Sequence, residues 1–516
     1  MKTSSETPTT GPVAGHLQQL DTHVTLNNLG LEQQTKRDVG PFDILCVGYN
    51  ICNCWVGLAA TMVIGLEQGG TVTVIYGTFV VTFAMACSAA TMAELSSVYP
   101  TAGGPYHWTS ILAPKKAYRH LASQPQRSPG DTPADVWASI ELLPGQFISA
   151  VRLFYNPDLE IPAWEYFLYF QATNLVFLLY NIFGLRRTRW IHDVGFFFSI
   201  FTFVIIFVSC LARAQSYQSN TFVWTDFPKP ESGWDSRAVV FLTGMANPNF
   251  MYAGLDGAVH LAEECAHASK TVPRALFSTI VVGFVVAFAF GLAMLYTLTD
   301  FGQVLENITG VPIYEIWFQA TRSGVAATIF MMLLLCIACF ALNACVEVTA
   351  RLTWSFARDN AIIGSKFMGS IHPRWEVPVW ALVANATVIL IIGCIYLGSS
   401  TAFNAFIGTA LVLQQCSFAL PAALLLWHKR SSSVLPPNRY IRLGPLGWIA
   451  NAVTVLFFLL ILVMYCFPIE LPVTGSNMNY TSVVIGIMVI FSAINWFVQA
   501  GHKFKGPRLL AEVPRD

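Results

Sequence analysis

The chain has 516 residues, 54% hydrophobic and 11% charged, with 29 basic residues balancing 29 acidic ones. Soluble domains carry about 25% charged residues, and nucleic-acid binders carry a basic excess, so both classes are excluded. The composition fits a helical protein that crosses a membrane many times.

Residues 1–40 are polar, rich in Thr and Gln, and read as a disordered cytoplasmic tail without the apolar stretch of a cleaved leader. Segments able to cross about 30 Å of hydrocarbon then follow at 42–66, 70–95, 163–184, 191–212, 237–262, 275–298, 324–349, 376–397, 402–427, 447–468 and 481–500. Together they make a transmembrane domain over 41–500, followed by a C-terminal tail at 501–516. Lys and Arg gather in alternate loops, around Lys115, Arg186, Lys270, Arg351, Lys429 and Lys503. These loops and both termini are therefore expected on the cytoplasmic side. The sequons at Asn307 and Asn479 fall in basic-poor loops and are the expected outer glycosylation sites. Nearly all of the twelve cysteines sit in apolar runs and read as packing, including Cys336 and Cys339 of a C-x-x-C.

This sidedness requires two crossings between the basic loops near Lys115 and Arg186, where only 163–184 is strong. The second candidate is 135–154, which contains Glu141, Pro144 and Gly145. Residues 117–147 read as an atypical polar insert in place of a third helix. A weak helix is expected to cross there; the alternatives are that the stretch is not native coding sequence, or that the topology is aberrant. A transcript with a more apolar segment between Ala117 and Ile148 would establish that the stretch is not native.

The sixth crossing ends in YAGLDGAVHLAEE, residues 252–264. An Asp at the bilayer centre costs about 2.5–3.5 kcal/mol, so Asp256 between Gly254 and Gly257 points to a broken helix that serves a ligand. Five crossings earlier, CVGYNICNCWVGLAATM carries Gly48, Asn50, Asn53 and Gly57 at its middle. Paired interrupted helices mark the substrate site of inverted-repeat transporters. The freed backbone groups must find partners in a medium that supplies none. The substrate-binding candidates are Asn50, Cys52, Asn53, Trp55, Tyr252, Gly254, Asp256 and Gly257. Asp256 with Trp55 and Tyr252 would hold an ammonium, and the backbone at Gly254 and Gly257 would meet the polar end of the substrate. His260 or Glu263 would carry a coupled proton. Taken singly, Tyr49 and Trp55 fit helix packing better than ligand contact, and Asn50 and Asn53 also fit interhelical hydrogen bonding. His260 by itself fits a satisfied buried histidine better than a proton carrier, and Glu263 and Glu264 also fit a solvated helix end, Glu263 being the better internal candidate. Glu94 reads as a structural cap. No H-E-x-x-H is present, so no metal or cofactor is expected, and a membrane-embedded hydrolase lacks its constellation.

Several motifs taken together resemble the amino acid–polyamine–organocation superfamily, in the form of fungal permeases for choline, GABA and amino acids. They are ELSSVYPTAGGPYHW (Glu94–Trp108), NICNCW (Asn50–Trp55), GLDGAVHLAEE (Gly254–Glu264), ASKTVPRAL (Ala268–Leu276), FARDNAI (Phe356–Ile362) and KFKGPR (Lys503–Arg508). The NICNCW form is most similar to the choline branch. The resemblance implies an all-α, leucine-transporter-type five-plus-five inverted repeat with two added helices, about twelve spans in all. It also implies proton-driven uptake of an amine-bearing solute across a fungal plasma membrane. The chain departs from the family pattern across 117–147, so a non-transporting sensor or inactive relative is the alternative.

Overall fold

The computed structural model describes residues 39–113, 133–227, 232–475 and 477–504. The tail expected at 1–40 lies outside them except for its last two residues, as do most of 501–516 and the first part of the insert. The described secondary structure is helical apart from one isolated bridge between Val39 and Cys265. Ten of the described helices are long and apolar enough to cross a membrane.

Helix α1 (Pro41–Cys52) opens with Asp43 accepting the Gly40 N–H at 2.8 Å. It stops at Asn53, which takes the left-handed conformation (φ 30°, ψ 62°) that Asn tolerates through its short polar side chain. The chain resumes as α2 (Cys54–Ala60) and α3 (Met62–Glu67). Next come α4 (Gly70–Val98), the short α5 (Pro105–Leu112), α6 (Pro133–Tyr155), α7 (Ala163–Phe183) and α8 (Ile191–Arg213). Five crossings after the first, the sixth is again in pieces: α9 (Arg237–Gly244), α10 (Ala246–Phe250) and α11 (Gly257–His260). Residues 251–256 between them form irregular turns, with Gly254 at φ +74°. The remaining long helices are α12 (Ala268–Thr297), α13 (Gly324–Arg358), α14 (Val379–Gly398), α15 (Ser400–Trp427), α16 (Leu446–Met464) and α17 (Thr481–Asn495).

The interrupted helices lie at the centre. Helix α1 packs on α12, α8 and α13, and α10 lies against α2, α3 and α4. A Cβ on Gly57 would stand 2.8 Å from the Phe250 carbonyl oxygen, so the two breaks meet backbone to backbone. At the face where the chain enters α1, here called the N-terminal face, the Val39 N–H donates to the Glu264 carbonyl (3.1 Å) and the Ala266 N–H to the Val39 carbonyl (3.4 Å).

Two elements differ in character from the sequence expectation. Helix α13 runs to Arg358 rather than ending near 349, because Arg351 and Arg358 both meet carboxylates and their charge does not stop the helix. Helix α6 is continuous for 23 residues, about 35 Å at 1.5 Å per residue, despite Glu141 and the internal Pro144. It packs on α13, α7 and α15, with Trp137 and Phe147 fully buried. Past α17 the chain continues through the π-helical turn Trp496–Ala500 and the short helix Gly501–Lys503, and Phe504 is buried in a cluster with Tyr106, Phe356 and Ile362.

Candidate functional site

Two cavities meet at the helix breaks. A vestibule of about 590 Å³ opens on the face opposite the N-terminal one, with Glu67 and Glu470 at its mouth. Partial burial, then repulsion from Glu470, holds the Glu67 carboxyl above the usual carboxylate range. The floor of the vestibule includes Ile51, Cys52, Asn53 and Ala253. Beyond Ile51, which borders both spaces, lies a smaller chamber of about 50 Å³. It is lined by Gly254, Asp256, Gly257 and His260 on the sixth crossing, Tyr106 on α5, and Cys345 and Phe356 on α13.

Asp256 is the carboxylate of this chamber, its side chain 19% exposed. One oxygen lies 3.1 Å from His260 Nε2, while His260 Nδ1 lies 2.7 Å from the Ala102 carbonyl oxygen. A carbonyl only accepts, so Nδ1 carries a proton. The irregular turn above is held by Gln414 on α15. Its Nε2 donates to the Tyr252 carbonyl (2.9 Å), and its Oε1 accepts the Gly254 N–H (2.8 Å). The Leu255 and Gly257 N–H groups donate to the carbonyls of Tyr252 and Gly254. At these four positions the groups freed by the break are therefore already paired.

The other expected residues lie elsewhere. Cys52 and Asn53 line the vestibule. Asn50 donates to the His192 carbonyl (2.7 Å) and thus ties α1 to α8, the interhelical role weighed above. Trp55 is fully buried, its indole N–H on Ser199 Oγ (3.0 Å) and its ring against Phe290. Tyr252 is fully buried, its hydroxyl 3.0 Å from that of Thr82. Neither Trp55 nor Tyr252 lines the vestibule or the chamber, and the aromatic rings at the chamber are those of Tyr106 and Phe356, stacked 4.1 Å apart. Tyr106 lies in the quoted GGPYHW motif and Phe356 opens the quoted FARDNAI motif, whereas Gln414 carries no signal of its own in an apolar helix.

Glu263, expected to carry a proton, is gripped by Arg358 through two contacts (2.7 and 2.9 Å) and accepts the Ala102 N–H (3.1 Å). The Arg358 guanidinium also stacks over Trp354 at 4.5 Å. Glu264 pairs with Arg351 and Arg189, Glu347 with His192 and Arg351, and Asp359 with His107. These ion pairs tie the sixth crossing, α8 and α13 together between the chamber and the N-terminal face. Glu94 receives Arg430 and Arg439 there, which makes it a clamp between α4 and the loop after α15. Of the two sequons, Asn479 lines the vestibule and commits its Nδ2 to the carbonyls of Tyr465 (2.7 Å) and Phe467 (2.9 Å). Asn307 engages only through Oδ1, which accepts the Thr309 N–H.

Residues 39–490 match the family described as amino acid permease. A choline transporter of Saccharomyces cerevisiae is 30% identical over 478 residues, spanning 92% of this chain and 83% of the relative. The amino-acid permease BAT1 of Arabidopsis thaliana is 26% identical, spanning 94% and 96%. A 7-keto 8-aminopelargonic acid transporter of Saccharomyces cerevisiae is 25% identical, spanning 88% and 90%. Among solved structures, the manganese transporter of Eremococcus coleocola superposes with a TM-score of 0.50 at 14% identity, over 89% of this chain and 92% of that one. That likeness concerns the fold.

Proposed function

Because the chain belongs to the amino acid permease family, we propose that it is a secondary active transporter of a small organic cation of the choline type, driven by protons and working by alternating access. The observation that carries the substrate class is the chamber beneath the sixth-helix break. It offers one carboxylate, Asp256, and two aromatic rings, Tyr106 and Phe356, in a mainly apolar wall. A quaternary ammonium has no N–H to donate, so its binding rests on charge and on aromatic faces worth about 0.5–2 kcal/mol each. An amino acid would also bring a carboxylate, and at Gly254, Leu255 and Gly257 the backbone N–H donors are already engaged. The relatives named for choline and for an aminopelargonic acid fit an amine-bearing cargo.

In the cycle proposed, the vestibule is the outer access path and the N-terminal face is cytoplasmic. The cation passes Ile51, meets Asp256, and leaves once the Glu263–Arg358 and Glu264–Arg351 pairs separate. The basic loops and the position of the sequon at Asn307 support this sidedness. The plasma membrane is the proposed location.

The test is uptake of labelled choline, GABA and neutral amino acids in a host lacking its own permeases. Choline uptake is expected. Asp256→Asn should weaken it by about 2–5 kcal/mol, 30-fold or more, at unchanged surface abundance. Full uptake by that variant would remove Asp256 from the site, and uptake of GABA alone would overturn the cation assignment.

A further inference from the structure

Glu141 has no part in the site described so far. Its side chain is fully buried in α6. The Trp137 indole N–H donates to Oε2 at 2.6 Å, and Oε1 has no hydrogen-bond partner. Among the described residues, no Lys, Arg or His pairs with it. Every other buried carboxylate discussed above has a basic partner. An ionised carboxylate held by one N–H inside hydrocarbon is several kcal/mol unfavourable, so the group is a neutral acid in this conformation.

Its surroundings suit exchange of that proton. Ser139, Leu142, Leu143 and Gln146 on α6 line the outer vestibule, together with Ala338 and Ala341 on α13. Glu141 thus lies one side-chain layer behind the wetted wall, at the seam between α6 and α13. Across the seam, the titratable groups within its electrostatic reach are the Cys339 and Cys345 thiols. Farther along α13, Glu347 and Arg351 are committed to each other. On α7, Tyr166 donates to the Leu142 carbonyl and Tyr169 to Glu165, which also pairs with Arg152; on α14, Tyr396 stacks on Tyr166. Cys345 is also within electrostatic reach of Asp256 and lines the chamber.

We propose that Glu141 is the proton-binding site that couples transport to the proton gradient. It takes a proton from vestibule water while the outer path is open and gives it to water on the N-terminal side when α13 shifts against α6. Asp256 stays available to the cation, and Glu263 stays bound to Arg358. The assignment rests on the proton-driven reading above and deepens it.

Two measurements on the full chain in liposomes test it. Infrared spectra of the wild type should show the carbonyl band of a protonated carboxylic acid that changes with pH and is missing in Glu141→Gln. With acid outside, the wild type should concentrate labelled choline, whereas Glu141→Gln should lose concentrative uptake and keep counterflow. Trp137→Phe removes the same hydrogen bond but not the proton, so it should keep concentrative uptake. Equal loss in both variants would assign Glu141 a merely structural part and overturn the proposal. Concentrative uptake by Glu141→Gln, or a wild-type spectrum without the band, would overturn it too. If the wild type moves no choline, the transport reading fails, while the band and its absence from Glu141→Gln still decide whether Glu141 holds a proton.

Discussion

Asp256 and Glu263 stand seven residues apart on the same interrupted segment, and the fold treats them oppositely. Asp256 faces a cavity with His260 as its one side-chain partner among the described residues, while Glu263 is bound by Arg358 from the end of α13. The sequence marks both as intramembrane acids, but Arg358 lies 95 positions away and nothing local names it. Removing one member of a buried pair costs about 3–5 kcal/mol. Arg358→Ala is therefore expected to lower thermal stability sharply. Glu263→Gln should lower stability but leave the proton dependence of choline uptake intact, read as uptake against outside pH. Glycosylation divides in a similar way. The glycan attaches at the amide nitrogen, and that of Asn479 is held by two carbonyls. In a eukaryotic host, Asn307→Gln should abolish the endoglycosidase-sensitive gel shift, and Asn479→Gln should not. Trp55 and Tyr252 show why side-chain direction was hidden from sequence. Beyond a break such as the left-handed Asn53 the helical phase is lost, and the face a residue presents no longer follows from the 3.6-residue period.

Among the helices, most were legible as apolar runs, and both interruptions were legible from Gly, Asn and Asp within them. The close approach of the breaks has a direct check. Gly57→Ala places a carbon 2.8 Å from the Phe250 carbonyl oxygen, a backbone atom that cannot swing aside, whereas Gly398 has open space around it. Gly57→Ala should lower the melting temperature and cut uptake, with Gly398→Ala as the neutral control. Helix α6 was hard to read because its hydropathy is poor. What holds it in place is tertiary: Arg152 with Glu165 and Tyr169 of α7, and Tyr166 on the Leu142 carbonyl. Pro144 leaves the Ile140 carbonyl without its helical donor, and neighbouring helices carry the load. Such partners come from other crossings, so a hydropathy window cannot see them.

The whole molecule is asymmetric across its thickness. A wide vestibule opens on one side, and a belt of buried ion pairs closes the other. Thiol labelling reads this directly in a background without reactive cysteines. Gln146→Cys, on the vestibule wall, should react with a membrane-impermeant reagent added outside. Leu352→Cys, on the inner chamber, should be protected until choline cycles the protein. The alternation of basic loops says nothing of which side is shut, because closure depends on partners such as Arg351 and Glu264 that meet only in the folded chain. The short bridge that pins Val39 between Glu264 and Ala266 fastens the foot of the first crossing to the foot of the sixth. In the cycle proposed above, the two feet would move together, and cargo heading inward would lose both of its walls in one stroke.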